Sequence, residues 1–166
     1  AENMIKSATE IPQAWTMMEA DVTGLAQLRQ RVTTRFQDRE GVSLTYLPFF
    51  LRATAESLKA HPQVNSSWGG DSIVLKRRIN LGVAVATPGG LVVPVVGDAD
   101  RLDIAALAWA AQDLAARARN GRLTLGNVQG GTFTVNNTGA LGSVVGKPLV
   151  RPGEAAIMNT EAVVRR

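Results

Sequence analysis

The 166-residue sequence has no cysteine and a single histidine, His61. Disulfide scaffolds and thiolate metal sites are thereby excluded, and one imidazole cannot build a histidine cluster, so redox and zinc chemistry drop out. Aromatic residues are scarce, at 5%, and none interleaves with a basic cluster as stacking on single-stranded nucleic acid requires. No uninterrupted apolar run approaches the roughly 18–20 residues that cross a bilayer, and the opening AENMIKSATE lacks the basic-then-apolar layout of a secretory signal. These absences lead to the expectation of a cytoplasmic protein with no metal, no membrane partner and no nucleic-acid partner.

What is present fits one ordinary domain: 45% of residues are hydrophobic and 19% charged, enough apolar material for a sizeable core. The net charge of +4 is spread along the chain, at Arg29, Arg31, Arg35, Arg39, Lys76, Arg77, Arg78, Arg117, Arg119 and Arg122. A basic nucleic-acid-binding domain remains an alternative on charge alone, and an anionic small ligand is equally compatible with it.

Periodicity supplies the elements. Residues 15–22 (WTMMEADV) read as a strand, after which Thr23 is expected to cap a helix carrying Leu25, Leu28, Val32 and Phe36 at intervals of three and four. A second helix is expected from Thr45, with Pro48 tolerated in its first turn and His61-Pro62 ending it. The period then changes to that of sheet in residues 73–76, 81–86 and 91–96, with Thr87-Pro88-Gly89-Gly90 as a turn. Asp103 opens the clearest helix, with Ile104, Leu107, Ala108, Ala111, Leu114 and Ala115 on one face and Asn120-Gly121 at its end. A strand at 132–136 and an apolar run at 155–158 follow. The pattern predicts an α+β fold in one domain, with a mixed β-sheet packed by helices.

The stretch GGTFTVNNTGALGS (130–143) concentrates glycine and hydrogen-bonding side chains beside very little bulk. It reads as a strand ending in a tight turn, since asparagine and glycine both tolerate positive φ. It also reads as a site, with glycines admitting a ligand to the backbone while Asn136 and Asn137 offer N–H donors to negative charge. The two readings are compatible.

Six ordered blocks, TEIPQAW (9–15), ADVTGLAQLRQ (20–30), LTYLPFFLRA (44–53), HPQVNSSW (61–68), INLGVAVATPGGLVVPVV (79–96) and GGTFTVNNTG (130–139), closely resemble the catalytic domain of dihydrolipoamide acyltransferases, the core subunits of 2-oxoacid dehydrogenase complexes. The resemblance implies the two-layer fold of chloramphenicol acetyltransferase, trimers with active sites between subunits, and acyl transfer between dihydrolipoamide and coenzyme A. It also implies octahedral or icosahedral cores, lipoyl groups carried on separate domains, and decarboxylase and dihydrolipoamide dehydrogenase components as partners. Members commonly place a Ser or Thr hydroxyl at the position of Asn136 to bond the oxyanion of the tetrahedral intermediate; an asparagine N–H is expected to take that role here. Coenzyme A contacts carry over to Arg29, Thr45, Asn136 and Asn137, against plainer readings of Arg29 as a solvated helix face and Thr45 as a helix cap. The turn AsnAsnThrGly is closer to branched-chain or broad-specificity members than to acetyl-specific ones.

Residues 61–68 read as structural, and His61 as a connector residue; Lys76, Arg77 and Arg78 read as solvated surface. The family's base, a histidine in a His-x-x-x-Asp-Gly motif, does not occur in these 166 residues. The expectation is therefore an inner-core catalytic domain truncated before that motif, without the family's leading helix, lipoyl domains or subunit-binding domain. A non-catalytic trimeric scaffold of the same fold stands as the alternative.

Overall fold

A computed structural model describes residues 2–165. The chain opens with helix α1 (Glu2–Glu10), contrary to the expectation that no leading helix is present. It is tied down at a distance: Ser7 Oγ donates to the Val150 carbonyl at 2.6 Å, and the Gln13 amide donates to Ser7 while accepting from Val150 N–H.

The expected strand at 15–22 does not form. β-Propensity needs a partner ladder, and no strand among the described residues pairs with the segment; Trp15, Met17 and Met18 are left 57%, 53% and 88% exposed. Helix α2 (Thr23–Glu40) follows, but Thr23 is not its cap: Val22 holds that position without a side-chain bond, and Asp21 accepts from the Thr23 N–H. The apolar stripe of α2 is only half-buried, with no fully buried residue. Gly41 ends the helix in the left-handed conformation (φ 71°), a geometry that favours glycine.

Helix α3 (Leu47–Ala60) begins two residues later than predicted. Tyr46 occupies its cap position, and Thr45 is exposed and makes no cap, so the capping role assigned to Thr45 is wrong. Pro48 fills the first turn, where its missing N–H costs nothing. Helix α4 (Ile104–Arg119) matches expectation, with the Asp103 carboxylate accepting from Ala106 N–H at 2.8 Å.

The strands are β1 (Ser66–Trp68), β2 (Ile73–Leu75), β3 (Leu81–Val83), β4 (Val85–Thr87), β5 (Gly90–Val92), β6 (Val95–Val96), β7 (Phe133–Asn137) and β8 (Ile157–Thr160). The central sheet is mixed, in the order β6-β3-β7-β8, with β6 antiparallel to β3 and β7 parallel to both neighbours. Two antiparallel ribbons flank it, β1-β2 and β4-β5, the latter closed by the predicted turn.

One sheet face carries the core: Leu81, Val83, Phe133 and Val135 pack with Leu51, Ala55 and Leu58 of α3 and Leu107, Ala111 and Leu114 of α4. Alanines on α4 let the helix lie close on the strands. The alternation of period two sends Thr134 and Asn136 to the opposite face. Asn80 fixes where β7 enters the sheet: its Nδ2 donates to the Gly130 carbonyl at 2.7 Å, and its Oδ1 accepts from Asp98 N–H. Asn65, 1% exposed, donates to the carbonyls of Lys76 and Arg78 and anchors the 61–68 block as structure. Arg78 is exposed and pairs with Asp98 at 2.6 Å, in keeping with a surface role.

Candidate active site

Asn136 stands near the C-terminal end of β7, on the face away from the helices. Its register partner on β8 is Asn159, and Asn136 Nδ2 donates to Asn159 Oδ1 at 2.9 Å. Two positions further along each strand, Thr138 and Glu161 fall on the same side. Asn159 Nδ2 donates to Thr138 Oγ1 (3.0 Å) and to a Glu161 oxygen, while Thr138 Oγ1 donates to the other Glu161 oxygen at 2.8 Å. All four side chains are partly buried.

The glycines around this network admit close contact. A Cβ on Gly139 would lie 2.2 Å from the backbone of Glu161, and one on Gly146 would lie 2.8 Å from Glu161 Oε1 and 3.1 Å from Asn159 Nδ2. The turn after β7 therefore folds flat against the chain that follows β8, and only glycine fits.

Asn137 does something else. Its Oδ1 accepts from Ala140 N–H at 3.2 Å, an Asx-type bond that holds the turn 138–142. Of the asparagine pair, one side chain makes the turn and the other faces the polar side of the sheet. Asn136 carries two N–H groups, and among the described residues only the bond to Asn159 uses one. The second is free to donate to a developing negative charge.

Arg29 reaches the 42–46 loop, which carries Thr45, at a second place beside α2. Arg29 Nε donates to the Leu44 carbonyl at 2.9 Å and its guanidinium lies 4.7 Å from the Tyr46 ring centroid. Backbone bond and ring thus fix the guanidinium plane, and its terminal nitrogens have no hydrogen-bond partner among the described residues. That is the fit an anionic phosphate needs. Thr45, exposed and free of the cap, lies beside this arginine in the chain path. Among the described residues no hydrogen bond links the arginine to Asn136, and two surface clefts, at the end of α4 and between α3 and β2, contain neither.

Sequence reasoning passed over Glu154, which is 8% exposed beneath the site strand. Thr134 Oγ1 donates to its Oε2 at 2.7 Å, and Arg151 Nη1 stands 4.0 Å from its Oε1. Burial pushes the Glu154 carboxyl above the ordinary carboxylate range, against the opposing pull of the Thr134 bond and Arg151. A carboxyl raised in the folded state binds its proton more tightly there than when unfolded. Its contribution to stability is therefore present below its ordinary value of 4.5 and is lost as pH rises through the raised one. The stability of the parent relative to Glu154→Gln is expected to be greatest near about pH 4 and to decline towards neutrality. Thermal midpoints of both proteins across that range check it; a pH-independent difference would show that Glu154 titrates normally.

Among the described residues no three His, Cys, Asp or Glu side chains gather where a metal could sit, and no helix is long and apolar enough to cross a membrane.

A mixed sheet with two helices on one face and an asparagine donor on the other defines a chloramphenicol acetyltransferase-like acyltransferase fold. The chain belongs to the 2-oxoacid dehydrogenases acyltransferase (catalytic domain) family, whose model matches residues 1–166. It is 47% identical over its whole length to the lipoamide acyltransferase component of the branched-chain alpha-keto acid dehydrogenase complex of Bacillus subtilis, of which it spans 39%. It is 33% identical to the Escherichia coli dihydrolipoyllysine-residue succinyltransferase component of the 2-oxoglutarate dehydrogenase complex, spanning 41% of that protein. Among solved structures, a probable dihydrolipoamide acetyltransferase from Listeria monocytogenes superposes with a TM-score of 0.97 at 44% identity, covering 99% of this chain and 70% of that one. The cubic core of a pyruvate dehydrogenase multienzyme complex superposes at 0.96 with 33% identity, covering 99% and 68%.

Proposed function

We propose that the protein transfers an acyl group between dihydrolipoamide and coenzyme A as the core subunit of a 2-oxoacid dehydrogenase complex. The observation that carries this is the uncommitted N–H of Asn136 at the end of β7, in a chain whose whole length matches the family. In the reaction the attacking thiol sulfur bonds to the thioester carbonyl carbon, and the carbonyl oxygen takes up negative charge. Collapse of that intermediate breaks the old carbon–sulfur bond, and the leaving thiolate takes the proton that the attacking thiol gave up. Asn136 donates to the oxygen while it is anionic, as donors in oxyanion holes do.

Coenzyme A phosphate is held by the terminal nitrogens of Arg29, with Thr45 beside it and the 136–137 turn bordering the acyl end. Arg29→Ala is expected to weaken coenzyme A binding by about 1–3 kcal/mol, the worth of a hydrogen bond to a charged group. Calorimetry with coenzyme A reads this, and unchanged affinity would leave Arg29 as a tie between α2 and Leu44 only.

The partner reading is a homotrimer assembling into an octahedral or icosahedral core, served by lipoyl domains and by decarboxylase and dihydrolipoamide dehydrogenase components, in the cytoplasm. Two features support the trimer: the unpaired segment bearing exposed Trp15, Met17 and Met18, and the β1-β2 ribbon exposing Trp68, Ile73 and Leu75. The decisive experiment supplies full-length protein with an acyl-dihydrolipoamide and coenzyme A and follows acyl-coenzyme A. Coenzyme A binding without transfer would favour the scaffold reading instead.

A further inference from the structure

We propose that Asn159 is the positioning residue for the Asn136 donor, held in one orientation by Glu161 and Thr138; this rests on the reading of Asn136 as the oxyanion donor. An asparagine side chain offers an oxygen and an NH2 of nearly equal shape, and only its partners decide which way it faces. At Asn159 the decision comes from charge. Its NH2 lies against the Glu161 carboxylate and the Thr138 hydroxyl, and the flipped amide would set its oxygen against that carboxylate. Asn159 Oδ1 must therefore face β7.

It faces Asn136, its register partner, and takes one N–H of that amide at 2.9 Å. One committed N–H fixes the plane and the sense of the Asn136 amide, so the second N–H has a single direction. Without Asn159, the Asn136 amide is free to rotate or flip, and a donor misplaced by an ångström forfeits much of its effect. The packing around the network holds it together: Gly146 leaves no room for a side chain beside Asn159 Nδ2, and Gly139 lies on the Glu161 backbone. Thr138 closes the ring by donating to Glu161 at 2.8 Å. Neither Asn159 nor Glu161 touches the reacting atoms in this scheme; both act through Asn136.

The test is a double-mutant cycle in the full-length protein with Asn136→Ala, Asn159→Ala and their combination, measuring kcat, KM for coenzyme A and the thermal midpoint. Asn159→Ala is expected to lower kcat on the order of 10- to 100-fold with KM changed by less than about twofold, and to have no further effect in the Asn136→Ala background. Glu161→Gln, which keeps the shape and removes the charge that selects the amide orientation, is expected to lower kcat by a smaller factor that also vanishes when Asn136 is absent; it decides the matter should Asn159→Ala not fold. Losses that multiply with that of Asn136→Ala, or a kcat unmoved in both Asn159→Ala and Glu161→Gln, overturn the positioning role. A kcat unmoved in Asn136→Ala alone overturns the oxyanion reading itself, and that single variant separates the two failures.

Discussion

Asn136→Ala in the full-length protein is expected to lower kcat by about 10²–10³-fold while coenzyme A affinity stays nearly constant. The split follows from when the interaction is made. A neutral thioester oxygen gains little from an amide N–H, whereas the anionic oxygen of the tetrahedral intermediate gains the full value of a charge-assisted bond. The coenzyme A contact proposed above lies elsewhere, at Arg29, whose guanidinium is braced by the Leu44 carbonyl and the Tyr46 ring. Stability should change little, because Asn136 is only half-buried and lies on the polar face, so water entering the vacated space can donate to the Asn159 oxygen where it stands. Steady-state kinetics with calorimetry of coenzyme A binding distinguish the alternatives. Equal losses in kcat and affinity would make Asn136 a binding group, and unchanged kinetics would return the whole 130–143 stretch to the role of a turn.

The stretch builds a turn and leaves one side-chain donor over. Asn137 builds the turn by accepting from Ala140, and Gly139 is required by the approach of the Glu161 backbone, while Asn136 is left with a donor to spare. Two adjacent asparagines divide the work because successive residues of a strand point to opposite sides and the strand ends between them and the turn.

Elements with a strong local signal were legible in the sequence. Asp103 followed by apolar residues at helical spacing gave α4 with its cap, and the β-rich runs around Thr87–Gly90 gave the β4-β5 ribbon. The core face was legible for the same reason, since Phe133 and Val135 alternate with threonine and asparagine. Where the outcome depended on a partner distant in sequence, local pattern failed. Residues 15–22 have the composition of a strand but no ladder to join, and Thr45 has the chemistry of a cap but precedes a helix that starts at Leu47. Glu154 and the Asn159–Glu161 pair were missed because their partners, Thr134 and Asn136, are about twenty residues away. One signal was available for the latter. Asn159 and Glu161 are spaced by two directly after the apolar run, the same alternation that marks Thr134, Asn136 and Thr138, and two strands with matching polar positions can form one polar face.

The 166-residue chain on its own is expected to transfer acyl groups about 10²–10⁴-fold more slowly than the full-length protein, because on the proposed reading Asn136 supplies an oxyanion donor and no imidazole among the described residues stands beside it as a base for the attacking thiol. Its one imidazole, His61, is exposed at the C-terminal cap of α3 and makes no side-chain bond to the Asn136 network, so it is badly placed to serve. An unperturbed thiol has a pKa near 8.5, and a few per cent is thiolate at neutral pH without help. That fraction sets the residual rate and gives it a signature. Activity of the chain alone should rise with pH as the free thiol ionises, up to about 8.5, whereas an enzyme with its own base loses that dependence once the base is deprotonated. Rates measured for both proteins from about pH 6 to 9, with circular dichroism confirming that the shorter one is folded, make the comparison. A flat profile and rapid turnover in the 166-residue chain would mean that one of its own groups, with Glu161 beside the asparagine network the first to replace, already acts as the base.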